Sequence, residues 1–158
     1  MILLLRYSGI RISDAAVVAR DRLQGDKLSL RTIKTGSNVW CPLPPKAVQA
    51  LNESPSDDSK YFFWNGSCHP TSAVKIWERT FQRVFELANI PGHKAFVHNF
   101  RHSFATDLLT QGIPIEDIAA LLGNSVRIVE KHYAHLVKSR RAAIEQRVRT
   151  LWGREGAA

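Results

Sequence analysis

The sequence predicts a mainly α-helical fold with a small antiparallel β-sheet on one edge. Apolar residues recur at helical spacing in the second half of the chain, where Val74, Trp77, Phe81 and Phe85 share one face. Residues 27–44 instead alternate apolar and polar side chains around a glycine-containing turn, which is typical of a β-hairpin. With 158 residues, of which 44% are hydrophobic, the chain is long enough for one domain with its own core.

Glycine, proline and polar loop residues divide the rest of the chain into predicted helices. In chain order, these helices cover residues 1–7, 12–22, 44–51, 71–88, 97–110, 114–122, 126–134 and 137–149. The pattern also predicts a solvated loop over 52–60 and a break at Pro91-Gly92. Helices therefore dominate, and the hairpin is expected to lie at their edge.

The charge balance favours a polyanionic partner. The formal net charge is +8 and the isoelectric point is near 9.9, which suits nucleic acid or an anionic membrane surface, although a basic chain also gains solubility. The chain has no apolar run long enough to span a bilayer and its apolar start lacks a basic leader, so we expect a cytoplasmic protein. Cys41 and Cys68 belong to no CxxC pair and are expected to be free, reduced thiols.

Histidine and arginine residues cluster on one predicted helix. His98 and Arg101 share a face of that helix, and His102 lies one turn beyond His98. The same histidine spacing occurs in zinc proteases, but Asn99 stands where such a protease needs a glutamate base, so we expect no metal site. For Arg101, the alternative to binding a ligand is a contact with a helix C-terminus or with Asp107.

Arg11 and Lys34 both lie where a cation could reach a ligand. Arg11 begins a helix that Ser13 or Asp14 could cap, and an arginine there opposes the helix dipole, so a bound anion would explain its position. Lys34 lies at the turn of the predicted hairpin, from which it could contact a ligand. The alternatives are an arginine that points into water and a lysine that protects an edge strand.

The stretch "LLGNSVRIVEKHYAHL", residues 121–136, predicts two helical pieces around a break. Together with the preceding "IEDIAA", it matches a helix-turn-helix whose second helix would lie in the major groove of DNA. Tyr133 lies late on that helix, whereas base contacts usually come from the first turn. The residues alone leave Tyr133 open as core packing, as a DNA contact or as a nucleophile.

The order of these features resembles the catalytic domain of the tyrosine recombinases, the phage integrase family, over nearly the whole chain. "SGIRISD" is similar to the first arginine motif of the family, and "HNFRHSFAT" to its His-x-x-Arg motif. "LLGNS" followed by "HYAH" is similar to the stretch that ends in the nucleophilic tyrosine. The resemblance implies a site-specific DNA recombinase or integrase that acts on double-stranded DNA without a metal or other cofactor.

The resemblance also implies a role for each catalytic residue. Arg11 and Arg101 would bind the non-bridging phosphate oxygens. Tyr133 would attack the phosphorus and form a 3′-phosphotyrosyl link. Lys34 would act as the general acid that protonates the leaving 5′-oxygen, and His98 would orient the phosphate and assist proton transfer.

Asn124 stands where the family usually has histidine and sometimes tryptophan. An asparagine can donate a hydrogen bond to a phosphate oxygen but cannot carry a charge, so we expect a slower enzyme rather than an inactive one. The family also has an N-terminal domain that closes around DNA, and only ten residues precede Arg11. This difference predicts a truncated chain that binds DNA weakly by itself.

We expect residues 1–158 to form a single catalytic domain with a basic helical tail over 137–158 that could contact a neighbouring subunit. The tail side chains expected to bind the DNA backbone are Lys138, Arg140, Arg141, Arg147 and Arg149. By resemblance, the working form would be a homo-oligomer on DNA, a tetrameric synapse, encoded by a bacterium or phage and associated with the nucleoid. The alternative function is that of a non-catalytic DNA-binding remnant or a helix-turn-helix-like regulator.

Overall fold

The computed structural model is mainly helical with one small antiparallel sheet, as the sequence predicts. It describes residues 1–54, 60–90 and 96–155, without the side chains of 96, 134–143 and 153–155. The predicted break at Pro91-Gly92, most of the loop over 52–60, and the side chains of Lys138, Arg140 and Arg141 lie outside the described residues.

The described residues form seven α-helices, one 3₁₀ turn and three strands. The helices are α1 (Ile2–Ser8), α2 (Ile12–Ala16), α3 (Pro45–Asn52), α4 (Pro70–Leu87), α5 (Phe96–Thr110), α6 (Ile115–Leu122) and α7 (Val126–Glu155). The 3₁₀ turn covers Arg20–Arg22, and the strands are β1 (Leu23–Gln24), β2 (Lys27–Arg31) and β3 (Asn38–Pro42). Of these elements, β1 is the one that the sequence pattern does not predict, because a strand of two residues carries too little periodicity.

The predicted hairpin is confirmed, and it pairs β2 with β3 in antiparallel register. Leu28 lies opposite Cys41 and Leu30 opposite Val39. Leu28, Val39 and Cys41 are buried whereas Trp40 is exposed, so the alternation of the sequence places one face of the hairpin against the core. β1 extends the sheet on the other side of β2. The loop between β2 and β3 carries Lys34.

The sequence predicts α2 to continue to Arg22, but the helix ends at Ala16. The carbonyl of Val18 accepts a hydrogen bond from the Phe62 N–H at 3.2 Å. Residues after α2 therefore pair with a distant segment instead of with their own helix. Val17 ends α2 with φ −118° and ψ 19°, Ala19 has an extended backbone, and tertiary pairing decides the outcome.

The two helices predicted over 126–134 and 137–149 form one element of 30 residues, α7. The predicted separation into two helices is confirmed as a kink, which lies at Tyr133, with non-helical φ −118° and ψ 18°, instead of after 134. α7 is long but not apolar, and none of the helices within the described ranges could cross a membrane.

Buried side chains form two clusters that lie on either side of α5. The first joins α1, the sheet, α3 and α4, and its larger members are Leu4, Leu5, Leu28, Phe62 and Phe81. The second joins α5, α6 and α7 through Phe104, Ala105, Ile118, Val129 and Tyr133. The two cysteines are free, as predicted, and burial raises the pKa of the Cys41 thiol to about 11.

Substituting Gly123 by alanine tests the junction between α6 and the sheet. Gly123 ends α6 with φ +59°, and a Cβ there would lie 2.8 Å from Cγ1 of Val39. We expect Gly123→Ala to lower the free energy of unfolding by about 3 kcal/mol, from backbone strain and overpacking together. The matched control is Gly25→Ala, since Gly25 has φ +62° but open space around it. The control should lose only about 1 kcal/mol; equal losses in urea unfolding would show that the close approach to Val39 is not costly.

Candidate functional site

A cleft of about 860 Å³ brings together Arg11, Lys34, His98 and Arg101. These residues come from the start of α2, the β2–β3 turn and α5, which are far apart in the sequence. Among the described lining residues, Glu78 is the single carboxylate. The fixed positive charges outnumber this negative charge, so the cleft favours an anionic ligand.

The guanidinium of Arg101 is almost completely buried, at 5% exposure, between two helix ends. Its Nη1 donates to the carbonyl of Gly9 and its Nη2 to the carbonyl of Leu122, each at 2.7 Å. These carbonyls belong to the C-terminal ends of α1 and α6, where the helix dipole is negative. The interpretation of Arg101 as a partner for a helix C-terminus is therefore confirmed, for two helices at once, while Asp107 pairs with Arg6 instead.

Arg101 remains a cation although its surroundings oppose the charge. Burial, followed by the nearby charge of Arg11, lowers the pKa of the Arg101 guanidinium to about 10. The group is still protonated at neutral pH. It therefore presents a fixed positive charge to the cleft while two of its donors bind backbone.

Gly9 allows α1 to end close enough to α5 for this contact. Its backbone has φ +61°, and a Cβ at this position would lie 2.5 Å from Cδ1 of Phe104. Any other residue at this position would be strained by the positive φ, and its Cβ would displace the ring of Phe104. The sequence "SGIR" thus reflects the packing of α1 on α5 as well as the start of the arginine motif.

Arg11 contacts Asn124 and keeps one donor without a partner. Its Nη2 donates to Oδ1 of Asn124 at 2.7 Å, whereas its Nη1 is buried and has no hydrogen-bond partner among the described residues. Arg11 itself is the N-cap residue of α2, and its side chain makes no capping hydrogen bond, while the backbone of Arg11 is close enough to Asp14 to oppose the rise that burial causes in the pKa of that carboxyl. An unpartnered guanidinium nitrogen in a cationic cleft is a donor for an anion.

Asp14 has a role in the site that the sequence analysis missed. It is 3% exposed, and its Oδ1 accepts a hydrogen bond from the backbone N–H of Ile33 at 2.7 Å. This contact fixes the turn that carries Lys34 against α2. Burial raises the pKa of the Asp14 carboxyl, and the Ile33 N–H and the charge of Arg11 oppose that rise. The sequence signal for this role was an acidic residue directly before the alanines of α2. In the structure, the neighbouring Ala15 is buried.

Tyr133 does not line the cleft formed by the other candidates. It is 6% exposed and packs in the second core cluster, and its hydroxyl lies 2.9 Å from Nδ1 of His102. Burial raises the pKa of the phenol, and the charge of Arg101 opposes the rise, so Tyr133 lies within electrostatic reach of the cleft. The sequence spacing of His102 suggests a metal ligand and not a partner of Tyr133, because no local signal connects residues that are 31 positions apart.

His98 lines the cleft next to His102 on the same helix. The two rings are edge to face with centroids 5.0 Å apart. Burial lowers the pKa of His98, and His102 and Arg101 lower it further. Within the described part of the chain, no three His, Cys, Asp or Glu side chains are arranged to hold a metal ion.

The profile of the phage integrase family matches residues 1–140 of this chain. The chain belongs to the phage integrase family. Tyrosine recombinase XerA of Pyrococcus furiosus is 28% identical in an alignment of 152 residues that covers 87% of this chain and 52% of that protein. The XerA of Thermococcus kodakarensis is 31% identical in an alignment of 134 residues that covers 79% of this chain and 46% of that protein. The chain thus spans about half the length of these curated relatives.

A solved structure of the Tn1549 transposon integrase in complex with circular intermediate DNA has the same fold. It superposes with a TM-score of 0.67 at 20% sequence identity, over 92% of this chain and 58% of that one. The family membership and the fold predicted from the motifs are therefore confirmed. In this member of the phage integrase family, Arg101 both binds the ends of α1 and α6 and lines the cleft.

Replacing Arg101 by methionine should destabilise the fold. The variant removes both charge-assisted hydrogen bonds and leaves the carbonyls of Gly9 and Leu122 buried without a partner, so we expect a loss of about 3 kcal/mol in urea unfolding. Arg127→Met, an exposed change on α7, is the matched control and should stay within about 0.5 kcal/mol of the wild type. Equal, small changes in both variants would argue against Arg101 as the link between α1 and α6.

Proposed function

We propose that this chain is the catalytic domain of a site-specific DNA recombinase or integrase that cleaves and rejoins DNA through a phosphotyrosyl link on Tyr133. The observation that carries the proposal is the buried, unpartnered Nη1 of Arg11 in a cleft that Lys34, His98 and Arg101 also line. Membership of the phage integrase family supports DNA as the substrate.

The scissile phosphate binds between the two arginines. Arg11 donates from Nη1, and Arg101 donates from the N–H groups that do not bind Gly9 and Leu122. Both cations stabilise the charge that develops on the non-bridging oxygens in the transition state. Neither arginine forms an ion pair with a carboxylate of the described residues, so their charge is available to the phosphate.

Tyr133 takes part in bond making, and Lys34 takes part in bond breaking. The oxygen of Tyr133 attacks the phosphorus, the bond to the 5′-oxygen breaks, and Lys34 gives its proton to that leaving oxygen. The phosphotyrosyl link keeps the phosphodiester energy for the reverse reaction, in which a 5′-hydroxyl displaces the tyrosine. His98, on the wall of the cleft, orients the phosphate.

Asn124 takes the place of a charged phosphate ligand. Because its Oδ1 accepts from Arg11, its Nδ2 is the group that donates to a phosphate oxygen. One neutral donor stabilises the transition state less than a charged one. We therefore propose a slower reaction than that of a relative with histidine at this position.

The proposed partner is double-stranded DNA. The net charge of +8 and the exposed Arg147 and Arg149 of α7 suit contacts with phosphates. The Tn1549 integrase, which has the same fold, forms a complex with DNA. We propose a single catalytic domain over 1–158 that acts as a homo-oligomer on DNA, as a tetrameric synapse in a bacterial or phage-encoded system, with the segment over 137–158 between subunits.

The second candidate function is DNA binding without cleavage. The burial of Tyr133 outside the cleft favours it, because a nucleophile has to reach the phosphate. The same chain would then bind DNA through its basic surface but form no covalent link.

A covalent adduct assay separates the two candidates. The chain is incubated with a fluorescent pool of nicked duplexes of randomised sequence. After cleavage, the short strand between the cleavage point and the nick diffuses away, so the DNA cannot be rejoined and the covalent intermediate accumulates. We expect a protein–DNA adduct on a denaturing gel that Tyr133→Phe abolishes and that the control Tyr61→Phe retains. An adduct that survives Tyr133→Phe refutes the assignment of the nucleophile. Binding of the pool in a gel shift without any adduct supports the binding-only function.

Replacing the leaving oxygen by sulfur tests Lys34 as the general acid. Lys34→Ala should slow adduct formation about 100-fold on ordinary DNA, because the 5′-oxygen leaves without a proton. On duplexes with a 5′-bridging sulfur the variant should match the wild type, since a thiolate leaves readily without protonation. Lys75→Ala, an exposed change on α4, should have no effect on either DNA. A Lys34→Ala defect of equal size on both substrates would exclude the general-acid role.

A further inference from the structure

We infer that His102, rather than His98, accepts the proton of the Tyr133 hydroxyl when the tyrosine attacks DNA. This inference rests on the proposed function, because it concerns the nucleophile of that reaction. It assigns a chemical step to a residue that neither the motifs nor the cleft single out.

The contact between His102 and Tyr133 carries the inference. Nδ1 of His102 lies 2.9 Å from the phenolic oxygen, and the ring centroids are 5.7 Å apart. Among the described side chains, His102 is the only hydrogen-bond partner of this hydroxyl. His98 lines the cleft and makes no hydrogen bond to Tyr133 among the described contacts.

The protonation state of His102 suits a proton acceptor. Burial, followed by the charges of His132 and Arg101, lowers the pKa of His102 below its ordinary value. The ring is therefore neutral at neutral pH. We assign it the tautomer in which Nε2 carries the hydrogen, so that Nδ1 accepts from the phenol. Among the described side chains, the titratable or charged groups that face it are His98 and Arg101 on α5, and His132 and Tyr133 on α7.

The environment of Tyr133 explains why an acceptor is needed. Burial raises the pKa of its phenol, so the hydroxyl stays protonated at neutral pH and is a weak nucleophile. Bulk water has little access to a side chain that is 6% exposed. A neutral imidazole within hydrogen-bond distance supplies the base that this buried hydroxyl otherwise lacks.

The proton balance of the cleavage step is complete with His102 and Lys34. As the bond between Tyr133 and phosphorus forms, the phenolic O–H bond breaks and its proton passes to Nδ1 of His102. The bond from phosphorus to the 5′-oxygen breaks, and that oxygen takes a proton from Lys34. Rejoining reverses both transfers: the 5′-hydroxyl returns its proton to Lys34, and the departing tyrosine recovers its proton from His102.

The test follows adduct formation with the nicked duplex pool from pH 5.5 to pH 9 in the wild type and in His102→Asn. The asparagine oxygen can replace Nδ1 as hydrogen-bond acceptor for Tyr133 but cannot take a proton. We expect about 100-fold slower adduct formation at pH 7. The wild-type rate should fall as the pH drops through the pKa of His102, because the protonated ring cannot accept, and the variant should lack this dependence. His69→Asn, an exposed change at the start of α4, is the matched control and should behave as the wild type.

Each outcome either supports or overturns the inference. If His102→Asn forms adduct at the wild-type rate across the pH range, His102 is not the acceptor, although the proposed function stands. If His98→Asn alone removes the fall in rate at acid pH, His98 is the acceptor. If the wild-type chain forms no adduct, the proposed function and the inference both fail. Circular dichroism melting verifies that the His102→Asn chain folds like the wild type, so that a slower rate reports chemistry.

Discussion

The buried guanidinium of Arg101 holds together the segments on which the candidate site is built. It binds the last carbonyls of α1 and α6 through Gly9 and Leu122. Arg11 follows the first of these ends by two residues, and Asn124 follows the second by two residues. A single side chain therefore fixes both helix breaks, and the hydrogen bond between Arg11 and Asn124 closes the arrangement.

The fold and the chemistry make competing demands on Arg101. Its charge is costly to bury, and the negative ends of two helices offset that cost. Two of its five N–H donors are thereby committed to backbone, and the others remain for a ligand. A lysine could not serve both the two backbone carbonyls and the proposed phosphate contact, because its ammonium lacks the planar array of donors that a guanidinium has. Arg11 has no such structural commitment and keeps a free nitrogen.

Local patterns explain which parts of the structure the sequence predicts. The hairpin and α5 follow from short-range periodicity, and the motifs around Arg11 and Arg101 are contiguous enough to indicate the family. The contacts that complete the site are not local: Asp14 binds a backbone group 19 residues away, and His102 meets Tyr133 across 31 residues. No periodicity encodes such pairs. The early end of α2 has the same origin, since tertiary pairing overrides helix propensity there.

The candidate site consists of two parts that α5 connects. The residues of the proposed anion-binding part are held in place by hydrogen bonds. Asp14 fixes the turn of Lys34 from one side, and Thr35 fixes it from the other through a hydrogen bond to the carbonyl of Gly123 at 3.2 Å. Tyr133, the proposed nucleophile, packs separately in the second core cluster. Arg101 and His102 are adjacent on α5 and point about 100° apart around its axis. Consequently one residue faces the cleft while the next holds the tyrosine, and any movement of α5 displaces both parts of the site together.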